Sequence, residues 1–202
     1  RDLYNLEAAR SIGVGFVRRP TVGRALLHHR EITYSVALPV RDAATARVVY
    51  GFINGILLGA MRSLGVEAAL ATHAVALPPG PRPCFDIPSE HEIVVGTRKL
   101  VGSAQWRHDG AILQHGSILV HDDQPLLTRL MLTPREPPPR AATLSEALGR
   151  EPSLDEVGRA LCRALAATTG EEPRRFEPDD VLPADVDRLS GGYRDDRWTW
   201  RR

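Results

Sequence analysis

Lysine is almost missing from this 202-residue chain. Its 26 lysine and arginine residues comprise 25 arginines and one lysine, Lys99. Arginine keeps its proton under all accessible conditions, whereas burial and neighbouring charge can tune a lysine amine to share or lose one. A bias strong enough to clear lysine elsewhere marks position 99 as one that needs an amine rather than a positive charge alone. Cysteine is scarce too: Cys84 and Cys162 stand far apart, which excludes a disulfide framework and makes a reducing cytoplasm the expected compartment. Neither sign of charge is in excess. A net charge of +1 supplies no basic field, so nucleic acid is not expected as a partner. No apolar run approaches the roughly 20 residues of a membrane-spanning helix, so no membrane association is expected. The seven histidines are scattered, and no spacing suits a metal.

What is present concentrates between Cys84 and Val120, CFDIPSEHEIVVGTRKLVGSAQWRHDGAILQHGSILV. Residues 92–95 read as a short strand, 96–98 as a turn, 99–107 as a second strand, 108–110 as a turn and 111–120 as a third strand. Simple alternation along the second strand puts Lys99, Val101, Ser103 and Gln105 on one face and Leu100, Gly102, Ala104 and Trp106 on the other. Gly102 and Ala104 leave their face almost bare, open to a ligand or to close packing.

Residues 3–11 read as the end of a helix stopped by Gly13. Val14–Val17 reads as a strand, followed by a hairpin tip at Pro20 and Gly23. Residues 31–38 alternate as a half-buried strand, and 43–64 carry a single apolar stripe, a core helix closed by Gly65. Pro78–Pro83 is a stiff loop delivering Cys84, and 126–132 is expected to be a strand. Pro134–Arg140 is a proline-rich connector. Beyond it a capping box at Ser153 and Glu156 opens a helix that holds Cys162 as a packed small hydrophobe. The tail from Tyr193 to Trp200 is expected to dock on the domain. Length suits one domain with a small appendage, divided at 133/134.

Three motifs in order, RRPTVGRALLH at 18–28, CFDIPSEHEIVV from 84 and GTRKLVGSAQ with ILQHGSILV from 96, give the chain a family resemblance. It resembles the catalytic domain shared by lipoate–protein ligases, octanoyltransferases and biotin ligases. It is most similar to the cysteine-dependent octanoyltransferases that act on the glycine-cleavage H protein. The resemblance implies an α/β (α+β) fold, a largely antiparallel mixed sheet packed with helices. It also implies a further N-terminal region, so the chain is expected to be a fragment with residues 1–133 as the catalytic part. The first motif, with Arg19, Thr21, Gly23, Arg24, Ala25 and His28, would wall an acyl tunnel. Val22 stands where the family carries glycine, which implies a reshaped pocket. Gly102, Ser103, Ala104, His115 and Gly116 would complete the substrate site.

The same resemblance implies the chemistry. Cys84 would attack an octanoyl thioester on acyl carrier protein, with Lys99 beside it, because a nearby ammonium favours the thiolate. The acyl-cysteine would then pass its octanoyl group to a lysine of a lipoyl-domain protein. The first step exchanges thioester for thioester and the second runs downhill to an amide, so no ATP or other cofactor is required. Two alternatives stay open. One is an ATP-dependent lipoate–protein ligase on the same fold, with Lys99 holding an adenylate phosphate. The other is a non-catalytic relative that only binds the acyl chain or its carrier.

Overall fold

The computed structural model describes residues 3–21, 23–39, 46–72, 85, 89–133, 137–179 and 181–201. Cys84, Val22, the Pro78–Pro83 loop, the start of the expected helix at 43–45 and the first part of the proline-rich connector lie outside them.

Among the described residues, five strands form one sheet in the order β1-β5-β4-β3-β2, and every pairing is antiparallel. These are β1 (Glu31–Pro39), β2 (Ala68–Leu70), β3 (Ile93–Val95), β4 (Arg98–His108) and β5 (Ala111–Leu119), with short helices α1 (Leu6–Ser11) and α4 (Leu144–Leu148) outside the sheet. The long β4–β5 hairpin is the centre of the sheet. It turns at Asp109 and Gly110, both at positive φ, as the two-residue turn of a right-twisted ribbon requires. The expected sheet is therefore present, wholly antiparallel among the described strands.

One face of the sheet carries the main core. Ile32 on β1, Ile112 and Ile118 on β5 and Leu100 and Val101 on β4 pack against Val49, Ile53, Leu57, Ala60 and Met61 of α2 (Ala46–Ser63). Each such side chain contributes on the order of 1.5–3 kcal/mol on burial. Helix α5 (Leu154–Thr169) lies against α2, where Gly59, Ala60, Ala160 and Ala164 are small enough for close approach; a Cβ on Gly59 would sit 3.6 Å from that of Ala164. Ala142, Leu144, Val157 and Ala160 belong to the same core, so the expected division at 133/134 is not a break in packing.

Five expectations fail. Residues 14–17 form no strand, and the 18–28 segment is an irregular loop instead of a hairpin. The 126–132 run is not a strand: Pro125 at a first helical position starts the one-turn helix α3 (Pro125–Arg129). Cys162 is exposed on α5, because the helix turns Val157 and Ala160 inward and leaves position 162 outside. Simple alternation along β4 also breaks down. Val94 pairs with Lys99 but Ile93 pairs with Val101, so β4 holds one extra residue, a β-bulge. Leu100 and Val101 consequently share the core face, and Lys99 joins Gly102 on the opposite one.

Candidate active site

The second face of the sheet is covered by loop rather than helix, and most of the expected site residues meet there. Lys99 is 3 % exposed, and its Nζ donates to Glu92 Oε1 at 2.7 Å. The other oxygen of Glu92 accepts the Ser89 backbone N–H at 2.7 Å. Both partners are buried, so the pair holds two compensating charges out of water. Removing one would leave the other uncompensated, at a cost of about 3–5 kcal/mol. The ammonium also stands 5.0 Å from the ring centroid of Phe85, the residue that follows Cys84 in the chain. Phe85 is buried with Leu119, Ala141 and Leu26. Gly102 makes this packing fit: a Cβ there would lie 3.0 Å from the Phe85 ring and 3.2 Å from Lys99 Cε.

The first-motif loop closes on the same face. Arg19 Nη2 donates to the Arg24 carbonyl at 3.1 Å, bracing the loop across its base. Gly23, at φ +97°, is needed there twice over: by its backbone and because a Cβ would stand 2.9 Å from that guanidinium. Thr21 Oγ1 and His115 Nε2 share a hydrogen bond of 3.0 Å. Burial, with the Arg19 guanidinium adding to it, holds the His115 imidazole below its ordinary pKa, so it is neutral at pH 7. Ala104 is the direct cross-strand neighbour of His115. Arg24 and Ala25 are half-buried in the loop. The buried Gln124 side chain clamps Leu27 from both sides, accepting its N–H at 3.1 Å and donating to its carbonyl at 2.8 Å. His28 Nδ1 is hydrogen-bonded to Glu31 Oε1, which also accepts the Ser117 hydroxyl at 2.9 Å.

Ser103 and Gly116 are brought to the other face. Ser103 Oγ meets the Tyr34 hydroxyl at 2.6 Å, and Gln114 bridges Tyr34 and Asn54 of α2 at 3.0 Å each. Gly116 exists for Tyr34, since a Cβ would stand 2.7 Å from that ring and 2.2 Å from the Gly102 carbonyl. Glu92, Phe85, Glu31, Ser117 and Gln124 were not singled out from sequence. Each is an isolated residue at a strand end or loop without a spacing pattern; only the EHE run before β3 offered a signal.

Comparison with known proteins agrees with this fold. The family model described as the lipoyl protein ligase A/B catalytic domain matches residues 1–166. This chain belongs to the lipoyl protein ligase A/B family. Within the family it is 43% identical to octanoyltransferase LipM of Symbiobacterium thermophilum over 220 residues, covering 98% of this chain and 78% of that protein. It is 34% identical to octanoyltransferase LipM of Bacillus subtilis over the same fractions of each. Its fold matches lipoate-protein ligase A bound with ATP (TM-score 0.78, 23% identity, 98% of this chain and 76% of that one). It also matches a bi-partite lipoate protein ligase from Thermoplasma acidophilum (TM-score 0.75, 22% identity, 98% and 75%). The lipoyl protein ligase fold is thus the one observed here, with the second sheet face as its candidate active site.

Proposed function

We infer that the protein is an octanoyltransferase of lipoate biosynthesis, working through an acyl-cysteine on Cys84. The observation that carries the mechanism is the buried Lys99–Glu92 pair packed on Phe85, the immediate neighbour of Cys84 in sequence. Octanoyl carrier protein is the proposed donor, and a lipoyl-domain protein such as the glycine-cleavage H protein the acceptor. A fixed ammonium in a water-poor pocket favours the thiolate over the thiol and can shield the developing oxyanion. Strand β4 supports the second role. Its pairing with β3 ends at Val101, so beyond Gly102 its backbone has a described strand partner only on the β5 side. The N–H groups of residues 102–104 are the proposed source of further oxyanion donors. Arg19, Thr21, Gly23, Arg24, Ala25, His28, Ala104 and His115 would line the acyl path. Ser103 and Gly116 would act from beneath the sheet, by holding Tyr34 and the β4–β5 pairing.

Neither step calls for ATP or a metal, and a cytoplasmic location suits the proposed partners. No described helix is long and apolar enough to cross a membrane. The test is intact-protein mass spectrometry after mixing with octanoyl carrier protein in the absence of ATP. A single octanoyl adduct, removed by hydroxylamine and absent from Cys84→Ser, is expected. Lys99→Arg should form it at least about 100-fold more slowly, since arginine keeps the charge but neither its shape nor its proton exchange. An unmodified mass with strictly ATP-dependent transfer by Cys84→Ser would overturn the reading in favour of a ligase.

A further inference from the structure

Transfer to the second substrate poses a problem that Cys84 and Lys99 do not solve. A target lysine arrives as an ammonium, and an ammonium has no lone pair with which to attack a thioester. Something must take its proton. On the catalytic face, the group built for that task is the pair formed by His28 and Glu31. Glu31 opens β1 with its side chain only 3 % exposed, while the His28 side chain is 54 % exposed. Ionised Glu31 can only accept, so the hydrogen bond between them is donated by His28 Nδ1–H. That fixes the tautomer: Nε2 carries the lone pair. The carboxylate is oriented from below by the Ser117 hydroxyl. Its second oxygen, Oε2, is buried and has no hydrogen-bond partner. A buried carboxylate left with spare acceptor capacity is costly. A buried carboxylate behind an imidazole with a surface-facing nitrogen is the arrangement of a general base and its orienting acid.

The pair also stands in the right place. Ser117 is the direct cross-strand neighbour of Gly102, on whose bare face Phe85 and Lys99 pack. We propose that the His28–Glu31 dyad accepts the proton of the target lysine in the second half-reaction, His28 as the base and Glu31 as its positioning residue. The proposal rests on the acyl-cysteine reading. Balanced, the step runs as follows. His28 Nε2 takes one proton from the ammonium, and the freed amine nitrogen bonds to the thioester carbon. The carbon–sulfur bond then breaks, and the second proton lost by nitrogen goes to the Cys84 sulfur. The products are an amide, a thiol and an imidazolium paired with Glu31, which returns its proton to water.

Hydroxylamine separates this role from others, because it is a neutral nucleophile at pH 7 and needs no base before it attacks. Acyl-enzyme is formed from octanoyl carrier protein and discharged either with a lipoyl-domain protein or with hydroxylamine. Once loaded, His28→Asn is expected to discharge to the lipoyl domain about 100-fold more slowly or worse relative to its own discharge to hydroxylamine, both compared with the wild-type ratio. The loss should lie in kcat, with KM for the lipoyl domain unchanged. Glu31→Gln should show the same split with a smaller loss. Formation of the acyl-enzyme shows that each variant is folded. Equal slowing with both acceptors, slowing with neither, failure to load, or a rise in KM at constant kcat would each overturn the proposal. A wild-type protein that takes up no octanoyl group would overturn the acyl-cysteine reading, and this inference with it.

Discussion

The two faces of the sheet use polar groups in opposite ways. Beneath α2, Tyr34, Asn54, Ser103, Gln105 and Gln114 form a closed network of neutral side chains, with the Gln105 amide donating to Gln114 at 3.0 Å. Burial raises the pKa of Tyr34 and of nearby Tyr50, so both phenols stay protonated and serve as fixed hydrogen-bonding groups. On the loop-covered face ionisable groups are buried as well: Lys99 against Glu92, and Glu31 with one oxygen unmatched. A satisfied neutral network rigidifies a core. Buried charge is tolerated where chemistry makes use of it. The same five strands thus separate the work of holding the fold from the work of changing a substrate.

The sharpest way to break the contrast is to remove one charge. Lys99→Met leaves Glu92 buried and alone, and chemical denaturation should show a loss of about 3–5 kcal/mol, whereas the double variant Lys99→Met/Glu92→Leu should recover much of it. Next come two glycines, one on each face of the sheet. Gly116→Ala drives a Cβ into backbone at 2.2 Å and into the Tyr34 ring, so a loss of about 1–3 kcal/mol or more is expected. Gly102→Ala meets only side chains, at 3.0 Å or beyond. It should cost less than about 1 kcal/mol while slowing acyl-enzyme formation. Equal stability losses at the two positions would erase the distinction between the faces.

Smaller still is a pH effect. Burial lowers the folded-state pKa of His115 below its ordinary 6.5, so below that value the unfolded chain binds more protons than the folded one. Stability should therefore fall as pH drops below about 6.5, and His115→Gln should lose less Tm than wild type between about pH 7.5 and 5.5. The smallest effect is Cys162→Ser, within about 0.5 kcal/mol and silent in transfer, because the thiol is exposed on α5.

Much of this contrast was legible in the chain, but unevenly. The β4–β5 hairpin was readable because period-two alternation and the His108-Asp109-Gly110 turn agree. The face of Lys99 was not, because a bulge adds one residue without any local signature and its position is set by pairing with β3. Residues 126–132, LLTRLML, are apolar without decisive periodicity, and a five-residue helix is too short to declare one. Loop 14–28 misled for a different reason. Its order comes from distant partners, Gln124 at Leu27 and His115 at Thr21, which no local window contains. The lone lysine pointed to the site, while its carboxylate partner looked like any surface glutamate.

The far end of the chain reaches the same loop. Trp198 Nε1 donates to the Arg18 carbonyl at 2.6 Å, Arg18 Nε donates to the Thr199 carbonyl at 3.1 Å, and Phe16 lies between Tyr4 and Trp200 with ring centroids 5.5 and 5.6 Å away. These clasps close loops of about 180 residues, entropically the most demanding contacts among the described residues. The β3–β4–β5 hairpins can assemble from neighbours in sequence, whereas the Arg18–Arg19 corner of the acyl path waits for the tail. Refolding should accordingly restore sheet structure before Trp198 and Trp200 regain their native fluorescence, so that binding competence is the last property the chain acquires.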